Sequence, residues 1–217
     1  MNSVEVTIAG EALTLFAEKA LFWRRVGTLL AADTHLGKAA AFRHAGIAVP
    51  EQVTTTDLQR LTLLIKETRA QRLVVIGDLF HARTGQSKAT LDAFHLWRTQ
   101  HEELHMELIE GNHDVAVGAL PELWRIRVLK ELREPPFLMT HKESKAPRLY
   151  SLCGHVHPSV SCAGMRLPCF HFTASSGLLP AFGSFTGTHT VYPERGDRVF
   201  AVSDGEIMDI SGAVSVR

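Results

Sequence analysis

Apolar and polar residues alternate over the first 25 residues (Val4, Val6 and Ile8, then Leu13 and Leu15), with Gly10-Glu11 between the two runs. That pattern predicts a hairpin, which Leu21-Phe22-Trp23 extends into a sheet. The alternation then gives way to short unbroken apolar runs, each ending on a polar residue. Thr28-Leu29-Leu30-Ala31-Ala32 runs into Asp33, Leu73-Val74-Val75-Ile76 into Gly77-Asp78, and Met106-Glu107-Leu108-Ile109 into Gly111-Asn112. Phe137-Leu138-Met139 precedes His141, and Tyr150-Ser151-Leu152 precedes Gly154-His155. Each run predicts a buried strand that delivers a polar residue at its C-terminal end. Between them lie helical periodicities. Residues 53 to 69 place Val53, Leu58, Leu61, Leu64 and Ile65 on one face, with Thr54 to Asp57 offering a cap. Residues 87 to 101 place Leu91, Phe94, His95 and Trp97 on another, after Ser87. Strand and helix alternation predicts an α/β sheet. After residue 158 short strands with turns take over (Phe170-His171-Phe172, Thr190-Val191-Tyr192, Val199 to Val202, Glu206 to Met208), predicting a second sheet packed on the first.

The polar strand ends form an ordered set: Asp33-Thr34-His35, Gly77-Asp78-Leu79-Phe80-His81, Gly111-Asn112-His113-Asp114, His141, and Gly154-His155-Val156-His157. Each block alone is a weak pattern. Together they bring three Asp, one Asn and six His to strand ends, enough for two metal ions side by side. Such ends converge at the carboxyl edge of a sheet, where α/β folds bind ligands. Glycine before Asp78, Asn112 and His155 would let the backbone turn and keep bulk away from the ions.

The rest of the composition narrows the reading. At 217 residues with 45% hydrophobic and 21% charged content, the chain fits one domain over residues 1–217. Lys plus Arg equals Asp plus Glu, at 23 each, so any grip on nucleic acid must be local. Cys153, Cys162 and Cys169 form no CxxC pair and read as reduced packing residues. No apolar run is long enough to span a bilayer, and the N-terminus lacks the basic and apolar regions of a signal peptide, so a cytoplasmic location is expected.

Hydrolysing a phosphodiester needs a nucleophile, neutralised phosphoryl oxygens and a proton for the leaving alkoxide. Two metals about 3.5–4 Å apart supply the first two by lowering the pKa of a bridging water and clamping the phosphate. Mixed carboxylate and imidazole donors suit Mn, Fe or Zn better than Ca. The set DxH, GDxxH, GNHD, H, GHxH over residues 33 to 157 resembles the calcineurin-like metallophosphoesterase superfamily. The stretches Ala32 to Lys38, Phe42 to Pro50 and Leu178 to Gly187 also resemble a bacterial subfamily, the ligase-associated DNA damage response endonucleases called PdeM.

The resemblance implies a sandwich of two mixed β-sheets flanked by helices, with the active site at the strand C-terminal ends. It implies that Asp33, His35 and His157 hold one metal, that Asn112, His141 and His155 hold a second, and that Asp78 bridges them. His113 would be the general acid and Asp114 its orienting partner. The ions would be two divalent metals, Mn foremost, with Fe, Zn or Mg as alternatives. The substrate would be DNA, single-stranded, in a repair setting with a ligase, a helicase and an exonuclease as partners, and the chain could pair as a homodimer.

One residue departs from the superfamily pattern. His81 stands where many members carry an Asp that helps orient the acid; a histidine cannot supply that fixed negative charge, and contact with the substrate phosphate is the alternative, so its role is open. Lys38 and Arg43 follow the first motif, Arg83 the second, and Lys142, Lys145 and Arg148 the fourth, as a phosphate-gripping rim or as ordinary loop charge. His44, His95, His101, His105, His171 and His189 read as ordinary histidines, and Trp97 and Trp124 as core. Phe182 and Phe185 read as packing beneath the site, with lining it as the alternative. Two other functions remain open: hydrolysis of a small phosphodiester or nucleotide, and a scaffold without catalysis.

Overall fold

The computed structural model describes residues 1–50, 52–162 and 164–212. The hairpin of the N-terminus is β1 (Ser3–Ile8) and β2 (Glu11–Phe16), extended by β3 (Ala20–Trp23) and β4 (Thr28–Ala32), all antiparallel. From β4 the sheet continues in parallel through β5 (Arg72–Ile76), β6 (His105–Ile109) and β7 (Ile126–Leu129), in strict chain order. The chain then crosses to the second sheet within two residues, at β8 (Glu131–Glu134). That sheet contains β9 (Phe137–Thr140), β10 (Tyr150–Cys153), β11 (Pro158–Cys162), β12 (Met165–Phe172), β13 (Ser176–Leu178), β14 (His189–Thr190), β15 (Arg198–Ser203) and β16 (Glu206–Asp209). Its β9, β10 and β13 run parallel, and antiparallel strands surround them.

Alternation along each buried strand explains the layers. Leu29, Ala31, Leu73, Val75, Met106 and Leu108 point to one face of the first sheet. There they pack on α2 (Val53–Thr68) and α3 (Lys88–Gln100) through Leu58, Leu61, Leu64, Phe94 and Trp97. Leu30, Ala32, Val74, Ile76 and Ile109 point the other way, onto Phe137, Met139, Leu152, Phe170, Phe172 and Phe200 of the second sheet. Both faces of these strands are therefore dry, which is why their sequences are unbroken apolar runs. Both long helices lie on the outer face of the first sheet. The second sheet closes with its own small cluster of Val160, Leu167, Cys169, Val199 and Ala201.

Three local expectations are corrected. Thr54 and Asp57 do not cap α2, which begins after Gln52 with no side-chain cap. They lie inside the helix and bond elsewhere in the molecule. His95 is exposed, and the α3 face is made by Phe94 and Trp97 with Leu91 partly buried. The strand expected at Thr190 to Tyr192 is the two-residue β14, ending at Thr190. Ser87 does cap α3, its side chain accepting the Thr90 N–H. The three cysteines are free. No helix among the described residues is long and apolar enough to cross a membrane.

Candidate metal centre

Five parallel strands, β4, β5 and β6 from one sheet and β9 and β10 from the other, end at the same edge, and the motif residues follow those ends. The first two motif loops are locked to each other because parallel pairing continues past the strands. Asp33 N–H donates to Gly77 O (3.2 Å), His35 N–H to Asp78 O (2.8 Å), Leu36 N–H to Leu79 O (2.9 Å) and His81 N–H to Leu36 O (3.0 Å). Buried Thr34 adds a hydroxyl bond to Leu79 O at 2.9 Å. Asp33, His35, Asp78, His155 and His157 all have positive φ, a conformation that L residues rarely hold. Such strain persists where the surroundings over-determine it, and among the described residues five of the eleven non-glycine positions with positive φ are candidate ligands. The motif glycines have a steric cause. A Cβ on Gly77 would overlap the His141 ring, one on Gly111 the Asp78 carboxylate, and one on Gly154 the Asp33 carboxylate.

Two ligand groups result, each with its donor atoms within 4.8 Å of one another: Asp33, His35 and His157, and Asp78, His141 and His155. In the first, His35 Nε2 is 3.3 Å from His157 Nε2, which is 3.6 Å from Asp33 Oδ1. In the second, His141 Nε2 is 3.0 Å from both His155 Nδ1 and Asn112 Oδ1. Separations of about 3 Å are those between neighbouring ligands on an ion bound at about 2.0–2.2 Å. Asp78 joins the groups, its Oδ2 lying 3.9 Å from His35 Nε2 and 3.6 Å from His141 Nε2. Asp33 Oδ2 accepts the His155 N–H at 2.7 Å, but its buried Oδ1 has no hydrogen-bond partner. An unpaired buried carboxylate oxygen is costly, and a cation relieves that cost. The donor set therefore fits divalent metal.

The histidines are prepared for it. Burial pushes His141 down to about 4 and lowers His35 further, with Lys38 and neighbouring imidazoles assisting at His35. Burial lowers His155 too. Neutral imidazoles keep the lone pair that a metal needs. His157 Nδ1 faces Gly187 O at 3.1 Å, which fixes its proton there and turns Nε2 toward the site.

His113 is outside both groups. Its ring is about one-third exposed, with Nε2 4.0 Å from Asp78 Oδ2, and its backbone N–H donates to Asp78 Oδ1 at 2.9 Å. His81 stacks on it (centroids 4.9 Å apart, planes at 26°), and both rings meet His35 edge-on. Burial, with Lys38 and His113 beyond it, lowers His81 to about 4. The three rings form a further cluster with metal-ligand spacing.

Asp114 bonds differently from the expectation. Its carboxylate accepts backbone N–H groups from Asp78 (2.8 Å), Gly111 (2.9 Å) and Leu79 (3.0 Å), so it holds the Asp78 loop instead of the His113 ring. Burial, opposed by those amides, raises its pKa to about 6. Among the rim cations, Lys38 is half-buried and electrostatically coupled to Asp33 and Asp78. Lys142 is exposed and acts on His141 and His155. Arg43 is committed to its own loop, donating to Val49 O (3.2 Å) and Pro50 O (2.9 Å).

One structural group escaped the motifs. Asp57 of α2 accepts the backbone N–H and the hydroxyl of Ser184, and an ion pair with Arg60 at 2.7 Å. Arg60 also donates to Phe182 O and Glu18 O and lies 4.2 Å over the Phe182 ring. Phe182 N–H donates to Ala32 O and Gly183 N–H to Asp33 O, so this partly buried network seats the strand end that carries Asp33. Asp57→Ala would take from Arg60 its carboxylate partner, leaving it the Phe182 and Glu18 carbonyls, and would leave the Ser184 amide without its acceptor. The expected cost is about 1–3 kcal/mol, read as a Tm lowered by roughly 2–12 °C. An unchanged Tm would contradict the role assigned to the network.

Two mixed β-sheets with helices on one outer face, and a histidine–aspartate cluster where their parallel strands end, define a metallophosphoesterase-type fold. No protein-family model and no curated protein matches the chain. Among solved structures it matches the crystal structure of Pseudomonas putida nuclease MPE. The TM-score is 0.84 and the identity 35%, covering 96% of this chain and 100% of that one. The chain belongs to the same family as that nuclease.

Proposed function

We propose that the chain is a metallophosphoesterase that uses two divalent ions, Mn foremost, to cleave phosphodiester bonds within single-stranded DNA. The observation that carries this reading is Asp78 Oδ2, set between imidazoles of two separate ligand groups. Nuclease MPE supports the polynucleotide substrate, since its chain aligns with nearly all of this one. The repair setting, its ligase, helicase and exonuclease partners, and a homodimeric state rest on the sequence resemblance alone.

Asp33, His35 and His157 would hold one ion, Asn112, His141 and His155 the other, with Asp78 between them. When bound, the pair would activate a water and neutralise the phosphoryl oxygens. The chain's own groups do the rest. Lys38 and Lys142 draw the phosphate toward the ligand cluster. His113 gives its proton to the leaving oxygen, a task that imidazole suits near neutral pH. The stacked His81 ring, kept neutral by burial, limits how His113 can turn without adding a second positive charge. Asp114 fixes the loop from which Asp78 and the His113 amide meet.

The test is incubation of covalently closed circular single-stranded DNA with purified protein in Mn²⁺, Mg²⁺ or chelator. Metal-dependent linearisation is expected, and a closed circle offers no end to an exonuclease. Intact circles beside hydrolysis of a small chromogenic diester would replace this reading with a small-molecule phosphodiesterase. Inertness toward both would leave the scaffold.

A further inference from the structure

Two phenylalanines of one short segment have opposite surroundings. Phe182 is fully buried beneath Arg60, whereas Phe185, three residues on, is 38% exposed and meets the half-buried Phe42 edge-to-face (centroids 5.3 Å apart, planes at 89°). The segment is pinned around that exposed ring. Gly183 N–H donates to Asp33 O, the Ser184 N–H and hydroxyl bond to Asp57, and Gly187 O receives the His157 ring nitrogen at 3.1 Å. Phe185 thus stands on an arch whose two feet rest on two candidate ligands of the same ion, Asp33 and His157.

Phe42 reaches the same place from the other side. It lies on α1 (Lys38–His44), which springs directly from candidate ligand His35, the Lys38 N–H donating to His35 O at 3.1 Å. Lys38 and Phe42 are four residues apart and share one face of that helix, just over one turn or about 6 Å apart along its axis. A cation beside the ligand cluster is thereby followed, one turn further along α1, by an aromatic pair whose Phe185 ring is held in place yet left exposed. Phosphate and base occur in that same order, from the reacting atom outward, in a nucleotide chain.

We propose that Phe42 and Phe185 form a nucleobase platform on which a base next to the scissile phosphate stacks. This rests on the nuclease reading above. A stack without hydrogen-bond readout tolerates every base, because all four have a π-face. The platform would hold single-stranded or unstacked DNA in the site and leave paired, stacked bases outside it. It also accounts for affinity on a chain without net positive charge, since stacking adds to a phosphate grip limited to a few local cations.

The experiment uses the Mn²⁺-loaded enzyme and a single strand in which every linkage but one is an uncleavable methylphosphonate. Three versions are compared: intact, lacking the base on the 5′ side of the scissile phosphate, and lacking that on the 3′ side. Wild type is expected to show kcat/KM about tenfold lower, carried mainly by KM, for one of the two abasic strands. Phe185→Ala, and Phe185→Leu as an apolar control of similar bulk, should close that gap, and Phe185→Trp should keep it. A wild-type enzyme indifferent to both missing bases, or a gap that survives in Phe185→Ala, would overturn the platform. The nuclease reading would stand in either case, since the strands are still cut. If wild type cuts none of the three, the nuclease reading fails and the platform with it.

Discussion

His113→Ala is expected to lower turnover on DNA by about 10²–10⁴-fold, the usual worth of a positioned general acid, with metal content unchanged. The two effects separate because the His113 ring belongs to neither ligand group joined by Asp78. Its contribution to the Asp78 loop is a backbone N–H that alanine retains. Steady-state rates beside metal analysis of the same preparations check this. A substrate whose leaving group is a stable anion, such as a p-nitrophenyl diester, needs no proton and should lose much less activity than DNA. Loss of metal in the variant would place His113 among the ligands. Equal losses on both substrates would mean that the ring positions the site and does not deliver a proton.

Asp78→Ala should reduce occupancy at both ion positions and take activity below detection. One carboxylate oxygen lies within 4 Å of imidazoles from both groups, while its partner oxygen receives the His113 amide. Burial raises the pKa of this carboxyl, with the neighbouring histidines opposing the shift. A bound cation would favour the charged form that burial disfavours, so ionisation of Asp78 and metal binding would support each other. Asp78→Asn, which keeps the shape and removes the charge, should bind metal more weakly than wild type at both positions. Metal analysis after gel filtration decides the matter: two ions retained per chain in Asp78→Ala would remove the bridging assignment.

Much of this was legible in the sequence because the signals are local. An apolar run that ends on Asp, Asn or His marks a strand and its outlet in the same few residues, and β4, β5, β6, β9 and β10 all announce themselves so. The N-terminal alternation marks β1 to β3 for the same reason. What escaped is long-range or weakly patterned. β7 and β8 carry charges at partly exposed positions and have little apolar contrast to reveal them. Thr54 and Asp57 sit where a cap would, but their partners are Gly37 and Ser184, the latter 127 residues away. Spacing places Asp114 beside His113 in the chain, yet its carboxylate is aimed at three backbone amides of converging loops. Arg43 lies in the right loop and turns its guanidinium to that loop's own carbonyls. The Phe182 and Phe185 rings are indistinguishable by residue type, and tertiary packing alone buries the first and leaves the second open.

If the ends of five strands from two sheets build one centre for two ions, anomalous diffraction from crystals of the protein soaked in Mn²⁺ will locate both. Two peaks about 3.5–4 Å apart are expected, with Asp78 between them and Asp33, His35 and His157 on one side, Asn112, His141 and His155 on the other. A single peak, or two peaks that do not share Asp78, would rule out a shared two-ion centre.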